Sequence, residues 1–257
     1  MEKRLNGVVL EIDSKTATSF LMPRHYAGRT PSISRAFGWY TGKPYTEDEL
    51  MAVCTFGKPA TNSLCVGVCG KEYSESVYEL NRLCRVDEWG EPLSQFVGSC
   101  LRRLRSANWI IVSYSDTAMN HHGYIYQACN FLYTGLTKER TDQFAPGGAH
   151  SRHAKEQDQG QYRTVRSAKH RYIYFCTYDK KRKKKWLEAL QYPVLGYPKG
   201  DNSPDYVLGS FINPTIISVE TGEAVERVEY ENEQFSLFGV GKYDQPLEKT
   251  EREWSRA

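Results

Sequence analysis

The chain has 257 residues and a net charge of +3, and 40% of its residues are hydrophobic, 25% charged and 13% aromatic. This composition is typical of a globular protein and excludes wholesale disorder, a collagen-like repeat and a coiled coil. No apolar run approaches the ~18 residues that span a bilayer, and the mixed N-terminal sequence does not have the pattern of a signal peptide. We therefore expect a soluble, cytoplasmic protein.

The first part of the chain is predicted to be strand-rich. Residues 1–35 show little periodicity, and the first clear pattern is a hairpin with strands at 36–40 and 50–56. A short apolar run at 64–69 and an alternating segment at 76–86 predict two further strands.

The middle of the chain alternates helices and strands. A helix over 93–105 follows Pro92, because apolar residues recur there at helical spacing. The continuous apolar run 109–113 is typical of a buried central strand in an α/β sheet. A polar turn leads to a second helix over 124–133, which Gly135 is expected to end.

The last part of the chain separates its charges. Residues 138–186 hold 14 Lys and Arg against 5 Asp and Glu, a local charge of +9 that leaves −6 for the rest. This segment contains a polar stretch (137–168), a predicted strand (172–178) and a basic helix (180–190). Concentrated positive charge attracts phosphate, as in nucleic acid, although a solvated helix face is the alternative.

The seven cysteines are scattered and form no Cys-x-x-Cys pair. The two that lie closest in the sequence, Cys65 and Cys69, fall on the predicted strand 64–69. Most of the seven have apolar neighbours, which favours buried thiols in a reducing compartment over a zinc site or a disulfide framework.

Asp116 is the first candidate for chemistry. The segment 113–116 follows the buried strand, and ligands collect at that edge of α/β sheets. The carboxylate would act there as a base or hold an amine. The alternative is an aspartate that makes a turn or caps a helix.

Histidines and tyrosines form two further candidate groups. His121, His122 and Tyr126 lie near the start of the second predicted helix, but adjacent helical residues point about 100° apart, so the two histidines are not expected to share a metal. His25 and Tyr26 form a pair in a polar segment, where a surface histidine is the alternative. The sequence has no Gly-x-Gly-x-x-Gly loop and no Walker motif, so classical nucleotide binding has no support.

Several segments, taken in order, resemble the phage Mom family. The matching segments are His25-Tyr26, 79–83 (ELNRL), 92–96 (PLSQF), 113–116 (SYSD), 122–130 (HGYIYQACN), 169–172 (KHRY) and 197–200 (YPKG). The resemblance implies a phage-encoded enzyme that adds an acetamido- or glycyl-type group to N6 of adenine in DNA. Such a group protects the DNA from host restriction enzymes, and the enzyme would work in the cytoplasm of the infected cell.

The family is similar in fold to the GNAT acyltransferases. The resemblance therefore implies an α/β (α+β) fold over residues 1–200, with a mixed central sheet flanked by helices. Residues 201–257 are expected to form an acidic, β-rich C-terminal extension. GNAT enzymes bind the donor pyrophosphate in a Gln/Arg-x-x-Gly-x-Gly/Ala loop, whereas residues 88–94 are acidic and lack that spacing. The donor is therefore either acyl-CoA or an aminoacyl donor such as glycyl-tRNA.

The resemblance also implies roles for individual residues. His25 and Tyr26 would contact the target base or, where a metal such as iron is bound, that metal. Asp116 would accept a proton from the adenine amine, and Tyr126 would protonate the leaving group. Arg82 and Ser94 would bind the donor, with helix capping as the alternative for Ser94.

Double-stranded DNA is the expected partner, with tRNA as a further partner if it carries the donor. The target base would have to leave the duplex, and aromatic residues (Tyr26, Trp39 and Tyr40) would stack on it unless they pack in the core. The residues expected to contact DNA phosphates are Lys169, His170, Arg171, Lys181, Arg182 and Lys184. No membrane partner is expected, and a homodimer remains an alternative to the monomer.

Two other functions remain open. The chain could be a GNAT enzyme that acylates a small amine or a protein, which predicts acetyl-CoA turnover without DNA. It could also be a non-enzymatic DNA-binding module on a GNAT-like core, in which His25, Asp116 and Tyr126 are replaceable without consequence.

Overall fold

The computed structural model describes residues 7–25, 30–46, 49–86, 90–144, 161–200 and 215–225. The chain divides into two compact units, one within residues 1–139 and 167–213 and the other within residues 140–166 and 214–257. The predicted boundary after residue 200 adjoins residues 201–214, which lie outside the described residues, and it stays a prediction.

The described residues form eleven strands and five α-helices. The strands are β1 (Val8–Ile12), β2 (Arg35–Tyr40), β3 (Leu50–Gly57), β4 (Val77–Arg85), β5 (Trp109–Asp116), β6 (Leu132–Leu136), β7 (Arg140–Gln143), β8 (Tyr162–Arg166), β9 (Lys169–Cys176), β10 (Ile216–Ser218) and β11 (Ala224–Val225). The helices are α1 (Ser14–Leu21), α2 (Asn62–Cys69), α3 (Leu93–Leu104), α4 (Tyr124–Ala128) and α5 (Lys180–Ala189).

The first unit is built on a seven-stranded mixed sheet in the order β1-β2-β3-β4-β5-β9-β6. Neighbouring strands are antiparallel except for β4 and β5, which run parallel and are joined through α3. A parallel pair needs such a crossover because both strands must start from the same edge of the sheet. The expected mixed α/β fold, with a central mixed sheet and helices on it, is confirmed.

The sheet has apolar cores on both faces. On one face α3 and α4 cover a cluster that includes Leu80, Ile111 and Phe131. On the other face α1 covers Val53, while α2 and α5 cover Val112. Trp39 and Tyr40 are fully buried in these cores, which confirms core packing for them and excludes stacking on a base. Six of the seven cysteines are buried, and all seven are free thiols.

Segment 64–69 is helical, so the predicted strand is wrong. The Thr61 hydroxyl accepts a hydrogen bond from the Leu64 N–H (3.4 Å) and begins α2. Cys65, Val68 and Cys69 are buried at helical spacing. A short run that is apolar at every position does not distinguish a buried helix from a buried strand, because it shows neither the period of a helix nor that of a strand.

The second predicted helix is shorter than expected. It ends at Ala128, and Asn130 then adopts a left-handed conformation (φ +60°) that turns the chain into β6. Gly135 lies within β6 rather than ending a helix. The polar turn is also shorter than expected, because β5 continues through 114–116 instead of ending at residue 113.

Strand β1 and helix α1 occupy the segment in which no element is predicted. Asp13 caps α1 by accepting a hydrogen bond from the Thr16 N–H (2.8 Å).

The other unit contains a four-stranded sheet in the order β11-β10-β8-β7. Among the described residues, no helix has both the length and the apolar composition needed to cross a membrane.

Candidate active site

The parallel strands β4 and β5 separate after a few residues. They pair from Val77 to Leu80 on β4 and from Ile110 to Ser113 on β5. The Ser113 hydroxyl donates a hydrogen bond to the Leu80 carbonyl (2.9 Å) at the last pair. Beyond it β5 pairs only with β9, so the sheet opens between the carboxyl ends of β4 and β5, the edge at which α/β sheets bind ligands.

A β-bulge lies directly at this opening. Asn81 is the extra residue in β4, because Leu80 and Arg82 face consecutive residues of β3. The Thr55 hydroxyl donates to the Asn81 side-chain carbonyl (2.7 Å), and the Asn81 amide donates to the Ser32 carbonyl (2.7 Å). Bulges redirect the side chains that follow them and occur often beside active sites.

The bulge places Arg82 on the α1 face of the sheet. Its guanidinium donates to the Asn81 carbonyl (2.6 Å), which holds the side chain beside the opening. Cys84, two residues further along β4, packs in the core under α1, so alternation puts Arg82 on that face as well.

Asp116 ends β5 and has every carboxylate oxygen engaged. Oδ1 accepts hydrogen bonds from the Ala118 N–H (3.0 Å) and the Ser167 hydroxyl, and Oδ2 accepts one from the Lys169 ammonium. Burial alone would raise the pKa of Asp116, but the bonds from Lys169 and Ser167 outweigh it and lower this pKa. The group is therefore an ionised anchor as well as the cap of the turn that follows it.

His25 lies in the same charged region. Its backbone N–H donates to the Leu21 carbonyl (2.8 Å), which attaches it to the end of α1. Burial, together with the positive influence of Arg82 and His121, lowers the pKa of His25 to about 3. His25 is therefore a neutral imidazole at physiological pH. Its predicted partner Tyr26 lies outside the described residues.

The pKa of His25 predicts a pH dependence of stability. The unfolded chain protonates this imidazole near pH 6.5 and the folded chain only near 3, so stability is lost as the pH falls between these values. Between pH 6.5 and 5 the wild type is expected to lose about 2 kcal/mol of its free energy of unfolding through this group, and the His25→Gln variant is expected not to show that loss. Urea unfolding at both pH values measures the effect, and an identical pH dependence in the wild type and the variant would contradict it.

Ser94 and Tyr126 lie on the opposite face of the sheet. The Cys129 thiol donates to the Ser94 carbonyl (3.2 Å) and so connects α3 with the end of α4. The Tyr126 ring packs against Phe131 (5.4 Å between centroids) and Tyr172 (5.3 Å). The structure thus places His25, Arg82 and Asp116 together at the charged face, and Ser94 and Tyr126 together behind it.

The three predicted DNA contacts on β9 are engaged within the protein. Lys169 pairs with Asp116. The Arg171 guanidinium donates to the Thr134 hydroxyl and carbonyl (both 2.9 Å) and stacks on Tyr192 at 3.4 Å. His170 is buried, and its Nδ1 lies 2.9 Å from the Tyr133 hydroxyl.

The basic helix α5 is anchored on one side and exposed elsewhere. Asp179 caps it by accepting hydrogen bonds from the N–H groups of Lys181 (2.8 Å) and Arg182 (3.1 Å). Trp186 is 1% exposed and packs against Phe175. The three basic residues expected to contact DNA (Lys181, Arg182 and Lys184) are exposed.

Helix α5 and the opening lie toward opposite ends of β5. The helix follows Cys176, which pairs with Trp109 at the start of β5, whereas Asp116 ends that strand. Seven residues of strand separate these two ends, a distance of about 23 Å.

The described residues near His25 do not fit a metal centre. Metal ions need several clustered ligands, and the described part of the chain contains no group of three His, Cys, Asp or Glu side chains that could hold one. The positive charge of Arg82 acts on His25 and would also repel a cation.

Glu79 was not among the residues predicted to form the site. It is partly buried on β4, and burial raises its pKa against the opposite influence of Arg82 and Lys169. One signal was present in the sequence, since a carboxylate interrupts the apolar positions of a strand that borders a central one. Lys169, which acts on Glu79 through its charge, lies ninety residues further along the chain, so no local pattern indicated this interaction.

Comparison with known proteins places the chain in a family. The model of the Mom protein family matches residues 6–199, about three quarters of the sequence. The chain belongs to the Mom protein family. All six positions predicted to be catalytic or donor-binding fall within the matched residues, and a comparison with curated proteins found no match.

Two of the solved structures that resemble this chain are acetyltransferases. An N-acetyltransferase from Staphylococcus aureus Mu50 has a TM-score of 0.41 at 10% identity, covering 67% of this chain and 99% of its own. A GNAT superfamily phosphinothricin acetyltransferase from Sinorhizobium meliloti, in complex with AcCoA, has a TM-score of 0.43 at 8% identity, covering 69% and 92%.

Proposed function

We propose that this Mom family member is a transferase that adds an acetamido- or glycyl-type group to N6 of adenine in DNA. The observation that carries the proposal is the family match over residues 6–199. In this proposal the enzyme is phage-encoded, and the added group protects the DNA from host restriction enzymes.

The reaction makes specific demands on the site. The N6 lone pair is delocalised into the adenine ring, so the amine needs a base and an activated acyl donor. The base must also leave the duplex to reach any group on the protein. The opening between β4 and β5, bordered by Arg82, Asp116 and His25, supports the proposal because it brings polar groups to an accessible sheet edge.

The proposed roles follow the two faces of the site. On the charged face, Asp116, His25 and its neighbour Tyr26 would act on the target adenine. On the opposite face, Tyr126 would protonate the leaving group, and Ser94 near the start of α3 would approach the donor.

Arg82 would hold a phosphate or carboxylate of the donor with its planar guanidinium. Both candidate donors, acyl-CoA and glycyl-tRNA, carry phosphate, so this role does not distinguish them.

Double-stranded DNA would contact α5 as well as the opening. The exposed cations of α5 (Lys181, Arg182 and Lys184) would bind phosphates away from the modified adenine. We therefore expect a footprint that extends well to one side of the modified adenine.

Mass spectrometry of nucleosides from co-expressed plasmid DNA tests the proposed function. The wild-type chain is expected to produce a heavier deoxyadenosine whose mass increment identifies the group. Asp116→Ala is expected to abolish it, since the variant releases Lys169 and Ser167. Asp13→Asn is the matched control, because asparagine retains the cap of α1.

Unmodified DNA from well-folded wild-type protein would overturn the proposal. Acetyl-CoA turnover with a small amine and no DNA would then establish the acyltransferase alternative. DNA binding without any turnover would establish the binding module.

A further inference from the structure

Glu79 faces the charged side of the opening. It pairs with Val112 on the next strand, one residue before the last β4–β5 pair. Val77, two residues earlier on β4, is buried in the core under α2 and α5, so alternation directs Glu79 to that face too. Val112 on β5 belongs to the same core as Val77. Asp116 is four residues beyond Val112 on β5, so it lies on the same face of the sheet.

The carboxylates of Glu79 and Asp116 differ in their partners. Both carboxylate oxygens of Asp116 accept hydrogen bonds, and the donors are Ala118, Ser167 and Lys169. None of the described residues donates a hydrogen bond to the side chain of Glu79, which interacts with Arg82 and Lys169 through charge alone. Both carboxylate oxygens of Glu79 keep contact with solvent. A carboxylate beside the opening that no protein group engages is available to a ligand that enters there.

We propose that Glu79 is the group that accepts the proton from the acceptor amine, and that Asp116 is a positioning residue that holds Lys169 near it. This inference rests on the proposed function. The N6 lone pair attacks the carbonyl carbon of an activated ester or thioester, and a C–N bond forms while the C–O or C–S bond breaks. The N6 proton passes to a Glu79 oxygen, and the departing alkoxide or thiolate takes a proton from Tyr126, the group proposed above for that role.

The electrostatics of the region suit this assignment. Burial raises the pKa of Glu79 and thus makes it a stronger base than an exposed glutamate. Asp116 is a weaker base, because its pKa is lowered and protonation would break its ion pair. The charged groups that act on the Glu79 carboxyl are Arg82 and Lys169. On the α2 side the Cys65 thiol faces Glu79, whose charge raises the pKa of that thiol.

Three variants separate these roles. Glu79→Gln keeps the shape of the side chain and removes the base, Asp116→Asn weakens the hold on Lys169, and Glu75→Gln is the control at a highly exposed glutamate of the preceding turn. The rate of deoxyadenosine modification would be measured from pH 5 to 9, with the melting temperature of each variant.

Glu79→Gln is expected to lose at least about a hundredfold in rate and to lose the acid limb of the pH profile. Asp116→Asn is expected to lose less and to retain that limb, and Glu75→Gln to match the wild type. Selective ¹³C labelling of glutamate provides a second measurement, in which the Glu79 carboxyl should titrate above the exposed glutamates.

The inference fails if folded Glu79→Gln keeps a rate within tenfold of the wild type, or if the acid limb disappears in Asp116→Asn and not in Glu79→Gln. A Glu79 carboxyl that titrates with the exposed glutamates would also overturn it. If the wild type itself leaves DNA unmodified, the proposed function and this inference fall together. If the wild type and Glu79→Gln both modify DNA, only the assignment of Glu79 falls.

Discussion

Replacing Lys181, Arg182 and Lys184 with glutamine is expected to weaken binding to duplex DNA roughly a hundredfold at 0.1 M salt. These three side chains are exposed on α5. Two of them form weak surface ion pairs, Arg182 with Asp179 (3.9 Å) and Lys184 with Glu188 (3.8 Å). Each phosphate contact releases counterions from the DNA when the protein binds. The loss of three contacts should therefore reduce the magnitude of the slope of log K against log salt by about 2.7. Fluorescence anisotropy with a labelled duplex at several salt concentrations measures both quantities.

A second triple variant controls for net charge. Lys15, Lys43 and Lys71 are exposed lysines on other parts of the first unit, and their replacement by glutamine changes the charge by the same amount. We expect this control to retain most of the affinity and nearly all of the salt slope. Equal losses in the two triple variants would show that overall charge, and not α5, governs binding.

Replacing Trp186 with alanine is expected to lower the free energy of unfolding by about 3–5 kcal/mol. Trp186 is 1% exposed and is the only buried residue of α5. It fills the core beside Phe175, and its carbonyl accepts a hydrogen bond from the Cys69 thiol (3.5 Å). The remaining residues of α5 are mostly cations that repel one another, so the helix depends on this side chain for its attachment to the sheet.

Leu187 provides the matched control for Trp186. It is the next residue of α5 and is 49% exposed, so its replacement by alanine should change stability by less than about 1 kcal/mol. Urea unfolding of both variants gives the comparison. If Trp186→Ala unfolds at the same urea concentration as Leu187→Ala, α5 is not anchored by its tryptophan. If Trp186 does anchor α5, Trp186→Ala should also weaken DNA binding, because the cations of α5 are no longer held in one arrangement.

Most of the central elements could be predicted from local patterns. The amphipathic helix α3 follows a helical period, and the hairpin of β2 and β3 consists of two apolar segments around a polar loop. The buried strand β5 was indicated by a continuous apolar run and the basic helix α5 by a run of cations. A period of two or 3.6 is a local property of the chain, and it survives folding when one face becomes buried.

The failures occurred where a local pattern was ambiguous. Segment 64–69 is apolar throughout, so it suits either a buried strand or a helix, and the Thr61 cap decides for α2. Residues 124–133 continue a helical pattern that ends early, because Asn130 adopts a left-handed conformation and the chain then joins the sheet as β6. Tertiary pairing outweighs local preference at such positions.

The candidate site shows the same division between local and distant information. The identities of His25, Arg82 and Asp116 were predicted from their motifs, and the family match covers all three. The state of each group depends on partners far away in the sequence. Lys169 approaches Asp116 from 53 residues along the chain, and Arg82, far from His25 in the sequence, lowers the pKa of His25 through its positive charge.

The sequence by itself therefore determined the family, the mixed α/β class, the basic character of α5 and the set of polar residues that accompany β4 and β5. Only the tertiary structure decided which of these residues share a face, because a bulge at Asn81 reverses the alternation of β4. It also decided which carboxylate is engaged and which is not. A side chain's pKa and hydrogen-bond partners depend on burial and on charges brought together by folding, and neither is encoded in the neighbouring residues of the chain.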